Sequence, residues 1–222
     1  MPPGFSLKEA AAIVGVPEPA VRKAIESGLI RPRVVAAGRA PRYRFGVRDM
    51  LYLKLVAGFP LALGREDKVA LRRVLAGSGR PSSAVGKWQA RGGDLVARAG
   101  DLVVHVEVGP VRRALARDLL AYRRGRRRIV SDPAVLGGEP VFEGTRIPLA
   151  HVAALIARGV PLEEVAEDYP ALGRDDLAFA AIHGRMKRDP GRPRRPLTLI
   201  RDGRPVPSDA AASRDGREAA HR

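Results

Sequence analysis

Six carboxylates crowd one short stretch of this chain, Glu163, Glu164, Glu167, Asp168, Asp175 and Asp176, and such a cluster could hold a metal or activate water. Their spacing assigns them another task. Glu163 and Glu164 fall in the expected first turn of one helix, and Asp175 and Asp176 in the first turn of the next, where negative charge offsets the helix dipole. The four histidines, His105, His151, His183 and His221, lack the spacing of metal ligands. His105 and Glu107 share one strand face, and two ligands do not make a site. No glycine-rich loop leads into a Lys-Ser or Lys-Thr pair, so no phosphate cradle is expected either. Neither catalysis nor a cofactor is expected.

The chemistry that the residues do supply is cationic. With 40 Lys and Arg against 24 Asp and Glu, the chain carries a net charge of +16 over 222 residues. Residues 1–128 carry 26 cations against 10 anions, a net of +16; residues 129–190 carry 6 against 10, a net of −4; residues 191–222 carry 8 against 4, a net of +4. A basic front, an acidic middle and a basic tail are three electrostatic regimes, and an anionic partner is the first to consider. Aromatic residues make up only 5% of the chain, too few for base-stacking platforms. The absence of cysteine excludes disulfides and thiolate metal sites, and it is compatible with a reducing compartment. No apolar window approaches the roughly 18 residues of a membrane span, and no signal-type segment opens the chain, so a cytoplasmic location is expected.

The elements that position these charges can be read in order. Ser6 and Glu9 have capping-box spacing before Ala10–Val14, and Gly15 is placed to end that helix. Pro17-Glu18-Pro19 starts a second helix with Val21, Ala24 and Ile25 on its apolar face and Arg22, Lys23 and Glu26 outside. Gly28 closes it. Arg33-Val34-Val35 and Arg42-Tyr43-Arg44-Phe45 alternate like a short β-wing around Gly38, and Met50–Val56 forms a third helix. Over residues 5–57 this order resembles the MerR-type winged helix-turn-helix, with an added acid and proline at the start of its second helix. The resemblance implies that Arg22 and Lys23 face a DNA major groove while the wing residues Arg39, Arg42 and Arg44 meet phosphates.

Farther on, Arg65–Leu75 predicts a helix, residues 77–93 around Trp88 a loop, and Leu95–Ala97 with Leu102–Val108 a β-hairpin. Pro110 then opens a helix to about Tyr122, and the run Arg123–Arg128 is either a solvated linker or a contact to DNA backbone.

Residues 131–148 are punctuated by Gly137, Gly138 and Gly144 and by Pro133, Pro140 and Pro148. They predict tight turns or a twisted hairpin, with positive φ at Gly138 and Gly144 and with Pro148 opening a helix. Helices follow at about 149–157, 162–168 and 174–186. The segments Gly137-Gly138-Glu139-Pro140, Gly144-Thr145-Arg146-Ile147-Pro148 and Asp168-Tyr169-Pro170-Ala171-Leu172 resemble a small helical family recurring in VapB-like antitoxins of bacterial type II toxin–antitoxin pairs.

The fold expected is mainly α with short β-hairpins: a winged helix-turn-helix over 1–60, a helix, hairpin and basic connecting helix over 61–128, a small helical domain over 129–187, and a basic tail over 188–222. The tail is rich in proline and arginine and is expected to be extended or disordered when free. The antitoxin resemblance implies a ribonuclease toxin as partner, most plausibly of the PIN-domain type, whose clustered acids hold Mg²⁺. Arg192, Arg194, Arg195, Arg201 and Arg204 are suited to such an acidic cleft, and Leu197, Leu199 and Ile200 form the tail's apolar anchor. The expected function is an antitoxin that neutralises its toxin and represses its own operon as a two-fold DNA binder. The alternatives are a MerR-like regulator without a toxin and a general nucleic-acid-binding protein.

Overall fold

The structure is a computed structural model that describes residues 4–35, 42–59, 63–76, 84–85, 87–91, 93–99, 101–186, 200–201 and 204–205. It is mainly α with short antiparallel hairpins, as expected. Residues 1–187 form one compact unit and residues 188–222 a second.

The first unit begins with α1 (Leu7–Val14), whose N-terminus is closed by the Ser6/Glu9 capping box and whose C-terminus is closed by Gly15 in the left-handed region. Helix α2 (Glu18–Glu26) starts directly after Pro17, and Pro19 sits in the first turn, where a missing N–H costs nothing. Val21 and Ala24 are the buried residues of α2, and the helix packs on α1. Strands β1 (Arg33–Val35) and β2 (Arg42–Arg44) pair antiparallel, and α3 (Val47–Ala57) follows. Phe5 and Phe45 exchange backbone hydrogen bonds of 3.1 and 2.8 Å, which fasten the start of the chain to the foot of the hairpin.

Helix α4 (Arg65–Ala76) leads into a four-stranded antiparallel sheet of β3 (Ala84–Val85), β4 (Trp88–Arg91), β5 (Asp94–Ala99) and β6 (Leu102–Val106). The expected loop over 77–93 is therefore corrected: its second half is sheet. Trp88 is 2% exposed, and its indole N–H donates to Asp67 of α4 at 3.2 Å. The period-2 pattern of Trp88 to Arg91 is short and bounded by glycines, which hides it from inspection.

Helix α5 (Val108–Arg127) is the axis of the unit and packs against α1, α3 and α8. It runs five residues beyond the expected end at Tyr122, so the arginine run is helical and not a linker. Gly125 explains the continuation. A methyl group there would collide with the Phe179 side chain of α8, so the glycine is required for close helix approach rather than for a break. Because α5 contacts elements on both sides, the boundaries drawn at 60/61 and 128/129 lie inside this compact unit.

Strand β7 (Ile129–Val130) pairs with β8 (Val141–Phe142) around a 3₁₀ turn at Leu136–Gly138, giving the expected hairpin. Gly138 and Gly144 have φ of 86° and 74°, and Gly137 and Leu136 are also positive. Pro148 caps α6 (Leu149–Ala157), followed by α7 (Leu162–Asp168) and α8 (Arg174–Arg185). Glu163/Glu164 and Asp175/Asp176 occupy first turns, as their spacing predicts. Asp176 does more than cap. It is 2% exposed, accepts from the Gly173 N–H at 3.0 Å, and receives Arg128 Nε at 2.8 and 3.1 Å on its two oxygens.

In the second unit, β9 (Ile200–Arg201) pairs with β10 (Arg204–Pro205) in a hairpin that the sequence reading did not include. The intervening Asp202-Gly203 is a strong sequence signal for such a turn. Among the described residues, no helix is long and apolar enough to cross a membrane.

Candidate nucleic-acid interface

Helix α2 turns Val21 and Ala24 inward, which leaves Arg22, Lys23 and Glu26 exposed. Arg22 is 60% exposed and stands 3.9 Å from Glu18 one turn earlier, an ion pair too solvated to hold it firmly. Lys23 lines a cleft that α2 shares with Arg65 and Lys68 of α4, and Arg22 lies outside that cleft.

The β1–β2 hairpin is more strongly charged on one face than the sequence indicates. In the observed register Arg33 is opposite Arg44 and Val35 opposite Arg42, while Val34 pairs with Tyr43. Strand alternation thus puts Arg33, Arg42 and Arg44 on one face, with Val34 and Tyr43 on the other. Arg33 was not among the residues expected at the site; only the register reveals it. Arg39 lies outside the described residues.

Arg44 also lines a groove of about 640 Å³ with Glu9, Tyr122, Arg123, Arg126 and Arg127, so the wing continues into the basic end of α5. Glu9 organises this groove. Its carboxylate accepts from the Ser6 N–H at 2.7 Å, the Tyr122 hydroxyl at 2.6 Å and Arg126 at 2.7 Å. Burial alone would raise the Glu9 carboxyl, but the hydrogen bonds from Tyr122 and Ser6 and the charge of Arg126 outweigh it, and the group sits below its ordinary range. Arg123 lies over the Phe5 ring at 5.7 Å from the centroid, and Arg124 pairs with Asp175 at 3.2 Å. The arginine run is therefore sorted residue by residue: Arg124, Arg126 and Arg128 tie α5 to its neighbours, and Arg123, Arg126 and Arg127 face the groove.

Such a surface can bind polyanions. Guanidinium groups on a hairpin and along a helix end reach phosphates by charge-assisted hydrogen bonds, and the exposed side of α2 is of a size to enter a major groove. Among the described residues no three His, Asp or Glu side chains are placed to share an ion. His105 instead lies 3.6 Å from Asp94.

In the tail, Arg192, Arg194, Arg195, Leu197 and Leu199 lie outside the described residues. Ile200, Arg201 and Arg204 belong to the β9–β10 hairpin.

Comparison with known proteins adds the following. The uncharacterized protein y4eO of Sinorhizobium fredii is 31% identical over 109 residues, 49% of each chain, so this chain spans about half the length of that curated relative. A crystal structure of Rv2018 from Mycobacterium tuberculosis aligns with 81% of this chain and 97% of that one at 17% identity, with a TM-score of 0.32. Residues 129–182, from the β7–β8 hairpin to α8, match the family described as a protein of unknown function, DUF433.

Proposed function

We propose that this protein is a DNA-binding antitoxin. The observation that carries the DNA half is the hairpin face of Arg33, Arg42 and Arg44, in the same compact unit as the exposed side of α2. In this reading α2 enters the major groove, the hairpin grips flanking phosphates, and the α5 groove extends the backbone contact. Two copies bind two half-sites, as helix-turn-helix dimers do. The acidic middle segment, with a net of −4, makes few contacts to DNA.

The antitoxin half is supported by the glycine- and proline-punctuated segment at 137–148 and the Asp168–Leu172 motif, which resemble an antitoxin-associated family. The basic tail then plugs the acidic, Mg²⁺-holding cleft of a ribonuclease toxin, with Leu197, Leu199 and Ile200 as apolar anchors. Together these make the protein a repressor of its own operon.

A chain ending at Arg188 tests both halves at once. It should shift DNA from upstream of its own gene as the full chain does, yet fail to co-purify with a nuclease encoded alongside. If it shifts no DNA, the interface is wrongly placed. If neutralisation survives, the toxin docks on the folded unit and the tail residues are not the inhibitor.

A further inference from the structure

A second cavity lies away from the DNA-facing groove. Helices α3, α4 and α5, with Ile30, line a partly open cavity of about 390 Å³, a volume in the range of small-molecule sites. Its wall is mainly apolar and includes Leu51, Leu75, Leu115 and Leu119. Charged side chains stand at its more exposed positions, and one buried polar group breaks the apolar pattern. Tyr52 is 3% exposed, and its hydroxyl has no hydrogen-bond partner among the described residues. A buried, unmatched hydroxyl is costly, and proteins retain one chiefly where something else completes it.

The charges around the cavity state what that partner would be. Arg72 is the cation whose field reaches the Tyr52 hydroxyl, and Arg48 and Arg112 also line the cavity. The single acid there, Asp49, already accepts from the Gly46 N–H at 3.2 Å. Burial pushes the Tyr52 phenol up to about 12, so it stays protonated and able to donate at neutral pH. A protonated hydroxyl can donate or accept whereas a guanidinium only donates, so the group that engages both is an acceptor. An amine would meet three arginines. A phosphate would bring more charge than an apolar cavity can desolvate.

We propose that this cavity binds a small organic acid, a monocarboxylate with an apolar ring or chain, whose carboxylate is held by Tyr52 and Arg72. The site has a route to the rest of the molecule. Arg72 Nη1 also donates to the Gly28 carbonyl at 3.0 Å, at the closing turn of α2, and Tyr52 borders the cleft beneath Lys23. An acid that engages Arg72 competes with the Gly28 carbonyl and loosens the end of α2. That consequence rests on the DNA-binding reading; the acid site itself does not.

Titration calorimetry of the full chain with benzoate and cyclohexanecarboxylate tests the site, with benzamide and benzylamine as controls. Both acids should saturate at millimolar concentration or below, with the amide and the amine weaker by about tenfold or more, the worth of a charge-assisted hydrogen bond. Tyr52→Phe should lose about tenfold in benzoate affinity while melting no lower than the wild type, because it removes an unmatched hydroxyl. Equal binding of benzamide and benzoate, or undiminished benzoate binding by Tyr52→Phe, overturns the proposal. So does an absence of saturation by either acid. Where benzoate binds as expected, DNA affinity should fall severalfold in its presence; unchanged DNA affinity would refute the coupling through Arg72, and a protein that binds benzoate but no DNA would refute the DNA reading alone.

Discussion

Arg33 and Arg44 stand directly opposite each other across the β1–β2 hairpin, two like charges in a cross-strand pair. Such pairs oppose hairpin formation, so the arrangement serves stability poorly and an anion well. A phosphate placed against this face relieves the repulsion and gains bidentate contacts.

Arg33→Thr should therefore separate stability from binding. Removing the repulsion is expected to raise stability by about 0.2–1 kcal/mol, since threonine also suits a strand. DNA affinity should fall at the same time, with a shallower dependence on salt because one phosphate contact is lost. Thermal melts and a salt series of binding titrations check the two effects. A variant that is less stable and binds DNA unchanged would show the pair to be structural.

Glu9 makes a pH prediction. Its folded carboxyl lies below the ordinary value, so its contribution is present above the unfolded pKa of about 4.5 and is lost as pH falls through the lower folded value. Melting temperatures should drop on acidification through this range, and Glu9→Gln should flatten that limb. At neutral pH the variant should be destabilised by about 1.5–3 kcal/mol, the scale of hydrogen bonds to a charged group. A pH profile of the variant parallel to that of the wild type would remove Glu9 from this role.

Gly125→Ala would ordinarily help a helix by about 1 kcal/mol. Here the added methyl meets Phe179 and approaches the Asp175 carbonyl, so the net effect should be destabilisation of about 1–3 kcal/mol. In a Phe179→Gly background, which removes the Cβ that the methyl meets, the same substitution should lose most of its cost. Denaturant titrations of the four proteins in this cycle measure the coupling directly, and additive effects would contradict the packing described.

The legible parts of this fold were those written in local chemistry. Ser6 and Glu9 announced the start of α1, Pro148 the start of α6, and the paired acids at 163–164 and 175–176 the first turns of α7 and α8. What stayed hidden depended on distant partners. The helix reads as ending at Tyr122 until Phe179 is seen against Gly125. Trp88 reads as a loop residue until Asp67 and the sheet enclose it. Arg33 joined the candidate interface only through strand register, and the arginine run was sorted into paired and groove-facing members only by Glu9, Asp175 and Asp176 on other elements. The Tyr52 cavity has no sequence signature, because residues from Ile30 to Leu119, on several elements, build it.

The central claim is that α2 and the β1–β2 hairpin read DNA, and fluorescence-anisotropy titration of upstream duplex and a scrambled duplex tests it most directly. Arg22→Ala should cost about 1–3 kcal/mol on the upstream duplex and narrow the gap between the two, as loss of a base contact does. Arg42→Ala should weaken both duplexes alike and reduce the salt slope by about one unit, as loss of a phosphate contact does. Undiminished binding by both variants, at the same salt slope as the wild type, would contradict the account.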